Sequence, residues 1–344
     1  MVRIYKCASC GGNMTFDPDK RLLVCSHCQA TKNVNEFKEE EVKSEDNRED
    51  FAGVISYKCP SCGAELVTDE YTAATTCAYC GSPNIIEERL SNNFKPNSII
   101  PFEYNRDYTL KEIKKWCHNG LFTPSDFLQQ RNLDTLTGLY VPFWLYDVFS
   151  NTSMCADCKT VRVHSNGNTT STTTSKYYVR RNMDAVYDRV PTDASIKMED
   201  ELMDRLEPFN YYGLVDFDMS YMSGYMAEKY NYTSNELENR TKDKVEKYAY
   251  ELTKNTIQGY ESVDITDCYI DTHVQKTEYA LLPAWIYNYK YKDKEYLFAM
   301  NGQTAKVAGK PPVSKQKVAL VFLSILIATI SFIKLLIVYM GGGF

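Results

Sequence analysis

The sequence predicts an α+β chain: two small cysteine-built modules at the N-terminus, a pseudo-duplicated antiparallel α+β domain, and one hydrophobic helix at the C-terminal end. Three observations predict it. Four Cys-x-x-Cys pairs fall in the first 80 residues, in two matched sets. A Pro-x-Trp-[Leu/Ile]-Tyr core occurs twice, 141 residues apart. A run of 23 residues at 318–340 carries a single charge, Lys334.

The first set joins Cys7/Cys10 to Cys25/Cys28, and the second joins Cys59/Cys62 to Cys77/Cys80. Fourteen residues separate the two pairs in each set, and the sets are offset by 52. Two thiolates at i and i+3 on a tight turn grip one metal ion, and a second turn brought alongside by a hairpin completes a tetrahedron of sulfurs. Zinc favours that geometry, and four sulfurs leave no position open for water or substrate. The sequence therefore reads as two N-terminal zinc ribbons, residues 1–37 and 54–90, holding two structural Zn2+ ions. The metal is a staple for modules too small to have cores of their own.

The flanking residues fit. Gly11, Gly63 and Gly81 follow the second Cys of their pairs, where the turn needs a positive φ; the remaining turn has Gln29 instead. Residues 13–16 and 21–24 form a hairpin around Asp17-Pro18-Asp19-Lys20, and 65–68 pair with 72–76 in the second ribbon. His27 lies inside a turn and is an alternative ligand. With four sulfurs available it reads as a half-exposed ring beside the site.

Residues 38–53 are charged, lack an apolar period and read as a linker. The α+β domain occupies 91–310. A helix over 108–119 puts Leu110, Ile113, Trp116 and Cys117 on one face. A buried strand covers 139–146 and recurs at 281–287; Pro142 and Pro283 within it suggest edge positions or strand starts. Pro101-Phe102 precedes the first helix, and Pro208-Phe209 precedes a longer helical stretch including 221–229 and 234–256, with Ser234 as N-cap. Each half ends in a hairpin. The first turns at Asn166-Gly167-Asn168; the second turns at Lys292-Asp293-Lys294 and again at Asn301-Gly302.

At about 1.5 Å per residue, 318–340 is long enough to cross a hydrocarbon core of about 30 Å. Lys334 lies six residues before Met340 and reaches the nearer headgroups. Lys306, Lys310, Lys315 and Lys317 precede the segment, the last two in a basic juxtamembrane stretch at 311–317. The positive-inside rule then predicts a single-pass cell-membrane protein, tail-anchored in the lipid bilayer, with its N-terminal bulk in the cytoplasm. Free thiolates and the lack of a secretory signal predict the same compartment.

A net charge of −6 and a pI near 5.5 argue against broad binding of nucleic acid. The second ribbon is itself acidic, with Lys58 and Arg89 against five carboxylates over 56–89. Catalytic patterns are missing. His27, His118, His164 and His273 sit in no metalloprotease motif, and no phosphate-binding loop or nucleophile elbow occurs, so neither an enzyme nor a bound nucleotide is expected. Cys155 and Cys158 form a fifth pair. In an extended strand they point to opposite faces and cannot chelate together.

The chain resembles the bacterial transcription-factor-IIB-type zinc-ribbon membrane proteins, often labelled primosomal-protein-N′-like or helicase-like by transfer. Cys-Pro-Ser-Cys-Gly at 59–63, Cys-Ala-Tyr-Cys-Gly-Ser-Pro at 77–83, Val141-Pro142-Phe143-Trp144, Leu282-Pro283-Ala284-Trp285 and Phe298-Ala299-Met300-Asn301-Gly302-Gln303-Thr304 carry the likeness. The resemblance implies zinc binding and membrane association and brings no catalytic residues. The expectation is a non-enzymatic adaptor or scaffold that presents its ribbons to a cytosolic protein partner. The alternative is a membrane-associated nucleic-acid-binding protein linked to replication or transcription, without a helicase motor.

Overall fold

The computed structural model describes residues 2–36, 50–51, 54–90, 94–127, 136–167 and 169–341. Of the linker read at 38–53, only Asp50–Phe51 falls among them; the rest, and turn residue Asn168, lie outside.

In chain order the elements are β1 (Val2–Arg3), β2 (Met14–Asp17), β3 (Leu22–Cys25), β4 (Thr31–Lys32), β5 (Asp50–Phe51), β6 (Val54–Lys58), β7 (Glu65–Asp69), β8 (Thr72–Thr76), β9 (Pro83–Ile86) and β10 (Ser98–Ile99). Then come α1 (Arg106–Asn119), β11 (Leu136–Asn166), β12 (Thr169–Asp193), α2 (Asp200–Leu206), β13 (Val215–Asp216), β14 (Met226–Glu228) and α3 (Ser234–Lys254). The chain closes with β15 (Ser262–Tyr291), β16 (Lys294–Asn301), β17 (Val307–Gly309) and α4 (Lys315–Gly341). The architecture is mixed α+β, as expected.

Among the described residues, one large sheet runs β1-β9-β8-β14-β11-β15-β10-β13, with β12 added on β11 and β16–β17 on β15. Its spine is the antiparallel pair β11–β15, paired from Leu136↔Tyr287 to Lys159↔Ser262 with bulges between Asp147 and Val148 and between Cys155 and Ala156. At about 3.3 Å per residue these strands are each about 100 Å long. Such length needs a cover, and α3 supplies it: Leu237 and Val245 pack with Tyr146, Val148 and Val190. Thr233, not Ser234, caps α3, because its hydroxyl and N–H close a capping box with Glu236.

Two further expectations are corrected. Residues 221–229 do not form an α-helix. A 3-10 turn, Met219–Met222, leads into β14, because pairing with β8 and β11 in the sheet overrides local helix propensity. Pro142 and Pro283 do not sit at edges or strand starts but deep inside paired strands. The Pro142 carbonyl accepts from Ala194 N–H, so its ring nitrogen faces that same edge. There β11 exchanges one neighbour for another: β14 ends at Tyr140 and β12 begins at Phe143. Pro283 repeats this on β15, between β10 at Leu281 and β16 at Ala284, with Gly302 N–H on its carbonyl. Each proline stands at a seam where a donor would have no partner.

The Phe298–Thr304 string proves to be a clasp. Asn301 Nδ2 donates to Leu206 O while its Oδ1 accepts from Gln303 and Thr304 N–H. The Gln303 amide closes on both backbone groups of Asn210 at 2.8 Å. A Cβ on Gly302 would lie 2.6 Å from the Phe102 ring, so glycine is required there.

The core crosses the module boundaries drawn from sequence. Met14, Phe16 and Leu23 of the first ribbon join one cluster with Phe102, Tyr140, Tyr225 and Trp285. In the second ribbon β6 and β7 stay in a separate sheet with β5, whereas β8 and β9 are strands of the large sheet. By contrast, none of the residues Lys315–Leu336 of α4 is buried, and this stretch, whose most apolar 18 residues have a mean hydropathy of 2.5, is long and apolar enough to cross a membrane.

Candidate metal centres

The four turns that carry the cysteines are built alike. In each, the residue after the second cysteine donates to the first cysteine's carbonyl: Gly11 to Cys7, Gln29 to Cys25, Gly63 to Cys59 and Gly81 to Cys77, at 2.8–3.1 Å. Each first cysteine in turn donates its N–H to the residue five positions on: Gly12, Ala30, Ala64 and Ser82. This ring of bonds sets a positive φ at the residue after the second cysteine, and Gln29 adopts it (φ 62) alongside the three glycines (φ 69–75). The departure seen in sequence is a strained residue in the same turn, not a different turn.

The turns bring the predicted sulfurs together. Cys7, Cys10, Cys25 and Cys28 form one group and Cys59, Cys62, Cys77 and Cys80 the other, with all four sulfurs in each within 4.8 Å of one another. The Sγ separations are 3.6 Å for Cys7–Cys28, 3.5 Å for Cys10–Cys25, and 3.8 Å for both Cys59–Cys80 and Cys62–Cys77. A disulfide would need about 2.05 Å. A tetrahedron with zinc–sulfur bonds of about 2.3 Å has edges of about 3.8 Å, so the donor set fits a zinc ion. At Gly12 a Cβ would stand 3.0 Å from Cys25 Sγ and 3.3 Å from Cys10 Sγ, so the glycine keeps the cradle clear.

In every pair the first cysteine is buried and the second exposed, so each centre sits half out of the surface. The local amides prepare the sulfurs for a cation. The N–H groups of Cys28 and His27 draw the Cys25 thiol down to about 6. The Ser82 hydroxyl and N–H do the same for Cys80, also to about 6. Cys28 and Cys62 are pushed up to about 12: the N–H groups of Ala30 and Ala64 oppose this, and the neighbouring sulfurs outweigh them. Each set thus ionises in part by itself, and a divalent cation would complete the ionisation. Ser82, whose hydroxyl lies 3.2 Å from Cys59 Sγ and 3.0 Å from Cys80 Sγ, is a contributor that sequence spacing does not reveal.

His27 is exposed and outside the ligand group. Cys155 and Cys158 lie on opposite faces of β11; Cys158 is buried with Met154, Ala156 and Val179, and Cys155 is not. Among the described residues, the two four-cysteine sets are the only groups able to hold a metal.

These features define a class: α+β proteins with two four-cysteine clusters, the second sharing strands β8 and β9 with one large sheet, and a C-terminal apolar helix. The chain is 40% identical over 347 residues to the uncharacterized protein YdjG of Bacillus subtilis (strain 168), with all of both chains covered. It belongs to that protein's family. No family model matches the chain, so the likeness to transcription-factor-IIB-type ribbon proteins rests on the motifs alone. No solved structure matches either.

Proposed function

We propose that this is a zinc-binding, non-enzymatic adaptor anchored in the membrane by α4, presenting its ribbons to a protein partner in the cytoplasm. One observation carries the reading. Tyr79, between Cys77 and Cys80, is 78% exposed on the turn that joins β8 to β9, both fixed in the large sheet. A rigidly mounted aromatic ring in water is the kind of group that anchors protein interfaces. Val67, on the same ribbon, is also exposed. All four positions of each tetrahedron are filled by sulfur, which leaves no site for substrate. Deleting the ribbon is the wrong control, since β8 and β9 would leave the sheet. The test is capture of partners by the detergent-solubilised full chain against Tyr79→Ala, with zinc content checked in both. Equal capture by the two forms rejects the reading. A steep salt-dependent affinity for DNA or RNA favours the nucleic-acid alternative instead.

Anchoring is tested separately. The full chain should float with liposomes, and a chain ending before Lys315 should not. Lys315 and Lys317 open α4, and the body before them stays on the cytoplasmic side.

We also infer that the body is one β-α-β-β unit used twice with its first strands exchanged. Supporting this, β10 pairs in parallel with β15 at Ala280 and Leu281, and β14 pairs in parallel with β11 at Leu139 and Tyr140, 141 residues earlier. The indoles agree. Trp285 donates to the Tyr104 carbonyl and Trp144 to the Tyr232 carbonyl, each two residues before a helix. Phe102 packs edge-on against Trp285 and Tyr230 packs tilted against Trp144, each at 5.1 Å. Tyr230, not Phe209, is therefore the counterpart of Phe102. Separately expressed halves should fail to fold alone and should associate when mixed.

A further inference from the structure

The distal body is an arm of three strands in the order β12-β11-β15. Among the described residues β12 pairs with β11 alone, and β15 has no neighbour on its outer side between Ser262 and Glu278. Both outer edges therefore present unpaired backbone groups over some 50 Å of chain at about 3.3 Å per residue. Natural edges are guarded by proline, charged side chains, bulges or a covering segment; here the β11–β15 ladder has bulges at Asp147/Val148 and Cys155/Ala156. Neither 169–190 nor 262–278 contains a proline.

The edges differ in charge. Residues 169–183 of β12 carry Lys176, Arg180 and Arg181 and no carboxylate. Residues 262–275 of β15 carry Asp264, Asp267 and Asp271 and no Lys or Arg. The charges are also level along the arm. Arg180 and Asp267 both lie directly across from Cys155, one on either side, and both are exposed. Since β11 is antiparallel to both outer strands, those strands run the same way. A second copy displaced sideways would set its β12 parallel to this chain's β15, with Arg180 facing Asp267.

We propose that the arms of neighbouring copies join edge to edge, β15 of one chain against β12 of the next. The two surfaces differ, so the contact is heterologous and builds rows of copies, not a closed two-fold pair. Backbone bonds supply the affinity and the level charges set the register. Held in one bilayer, copies would already point their arms alike; that clause rests on the anchoring reading, while the charge and register argument stands without it.

The test is sedimentation of the detergent-solubilised full chain at low and high salt. Wild type should sediment as multiples of the monomer that shorten as salt rises. Arg180→Asp and Asp267→Arg, both at exposed positions, should each shift the protein to monomer, and the double exchange should restore the multiples. Two zinc ions per chain in every variant confirm that the fold is kept. A monomeric wild type, multiples indifferent to both single changes, or a double exchange that stays monomeric overturns the proposal. Failure in the liposome assay with multiples intact rejects only the anchoring.

Discussion

The two ribbons share their spacing, their turn geometry and their sulfur tetrahedra, yet they join the body by different means. The first is attached mainly by side chains; its backbone contacts are β1 paired with β9 of the second ribbon and Phe16 N–H donating to Ser223 O at 2.8 Å. Phe16 packs edge-on against Tyr221 at 5.2 Å, Met14 O accepts from the Ser223 hydroxyl, and Asn105 donates to Asp19 at 2.6 Å. The second is attached by backbone. Ala74 pairs with Ala227 and Thr72 with Glu228, so half of the ribbon is sheet. Lys197 locks that joint by reaching both Asp69 of the ribbon, at 2.6 Å, and Glu228 of β14, at 3.0 Å. Identical metal motifs therefore fix what happens within a few residues of the sulfurs and leave the mounting free.

Metal loss should expose this difference most strongly. Zinc binding in such sites is worth about 10–16 kcal/mol of apparent free energy. Cys25→Ser should release one zinc and loosen the first ribbon, leaving most of the large sheet protected from hydrogen exchange. Cys77→Ser, at the matching position, should release one zinc and also open β8, β9 and β14, because those strands lose their frame. Equal protection of β14 in the two variants breaks the comparison. Elemental analysis of the wild type should give two zinc ions per chain.

A smaller effect tests the side-chain mounting. Phe16→Ala removes a buried ring and should destabilise the protein by about 3–5 kcal/mol. It should detach the first ribbon without loss of either metal. A denaturation series with zinc release followed in parallel would check this.

Acid should then separate ribbons from body by sign. Lowering the pH protonates thiolates and weakens both metal sites. The body responds the other way. Burial raises Asp193 to about 6, and the Arg240 guanidinium 2.9 Å away offsets this only in part. Unfolded, an aspartate titrates near 3.9. The folded state therefore binds the proton more tightly, and the Asp193 contribution is fully present below about 4 and lost as pH rises through about 6. Between those values, α2 and α3 amides corrected for intrinsic exchange should gain protection on acidification while the ribbons lose it. Asp193→Asn should abolish the gain.

The smallest expected effect lies in one turn. Gln29 holds a left-handed conformation that costs a residue with a Cβ about 1 kcal/mol. Gln29→Gly should make the first ribbon hold zinc against a chelator several-fold better, and the same competition at the second ribbon should not change.

Much of this was legible in the residues. Cysteine spacing marked both four-sulfur groups, because bringing paired thiols together is a local geometric demand. The apolar run marked α4, and the hairpin turns fell where Asn166-Gly167 and Lys292-Asp293 put them; both residues of the latter pair adopt positive φ. What escaped was long-range. Residues 226–228 have a helix-like context and become a strand only because β8 and β11 stand on either side. Pro142 and Pro283 look like edge signals until the change of neighbour at each is known. The fusion of β8 and β9 into the large sheet leaves no mark on the cysteine pattern. The proposed adaptor role rests on an exposed ring that composition alone could not distinguish among 27 tyrosines.

The strand β15 ends at Tyr291, and the Tyr291–Lys294 turn lines one pocket with Ser314, Lys315 and Leu320 at the start of α4. Its other end, Ser262, lies near the tip of the arm. Under the anchoring proposed above, this one strand would act as a ruler from the bilayer outward, and its graduation is the residue. Removing two residues from each of β11, β12 and β15 in the arm would lower the tip by about 7 Å and keep every side chain on its face; removing one from each would turn the outer part of the arm inside out.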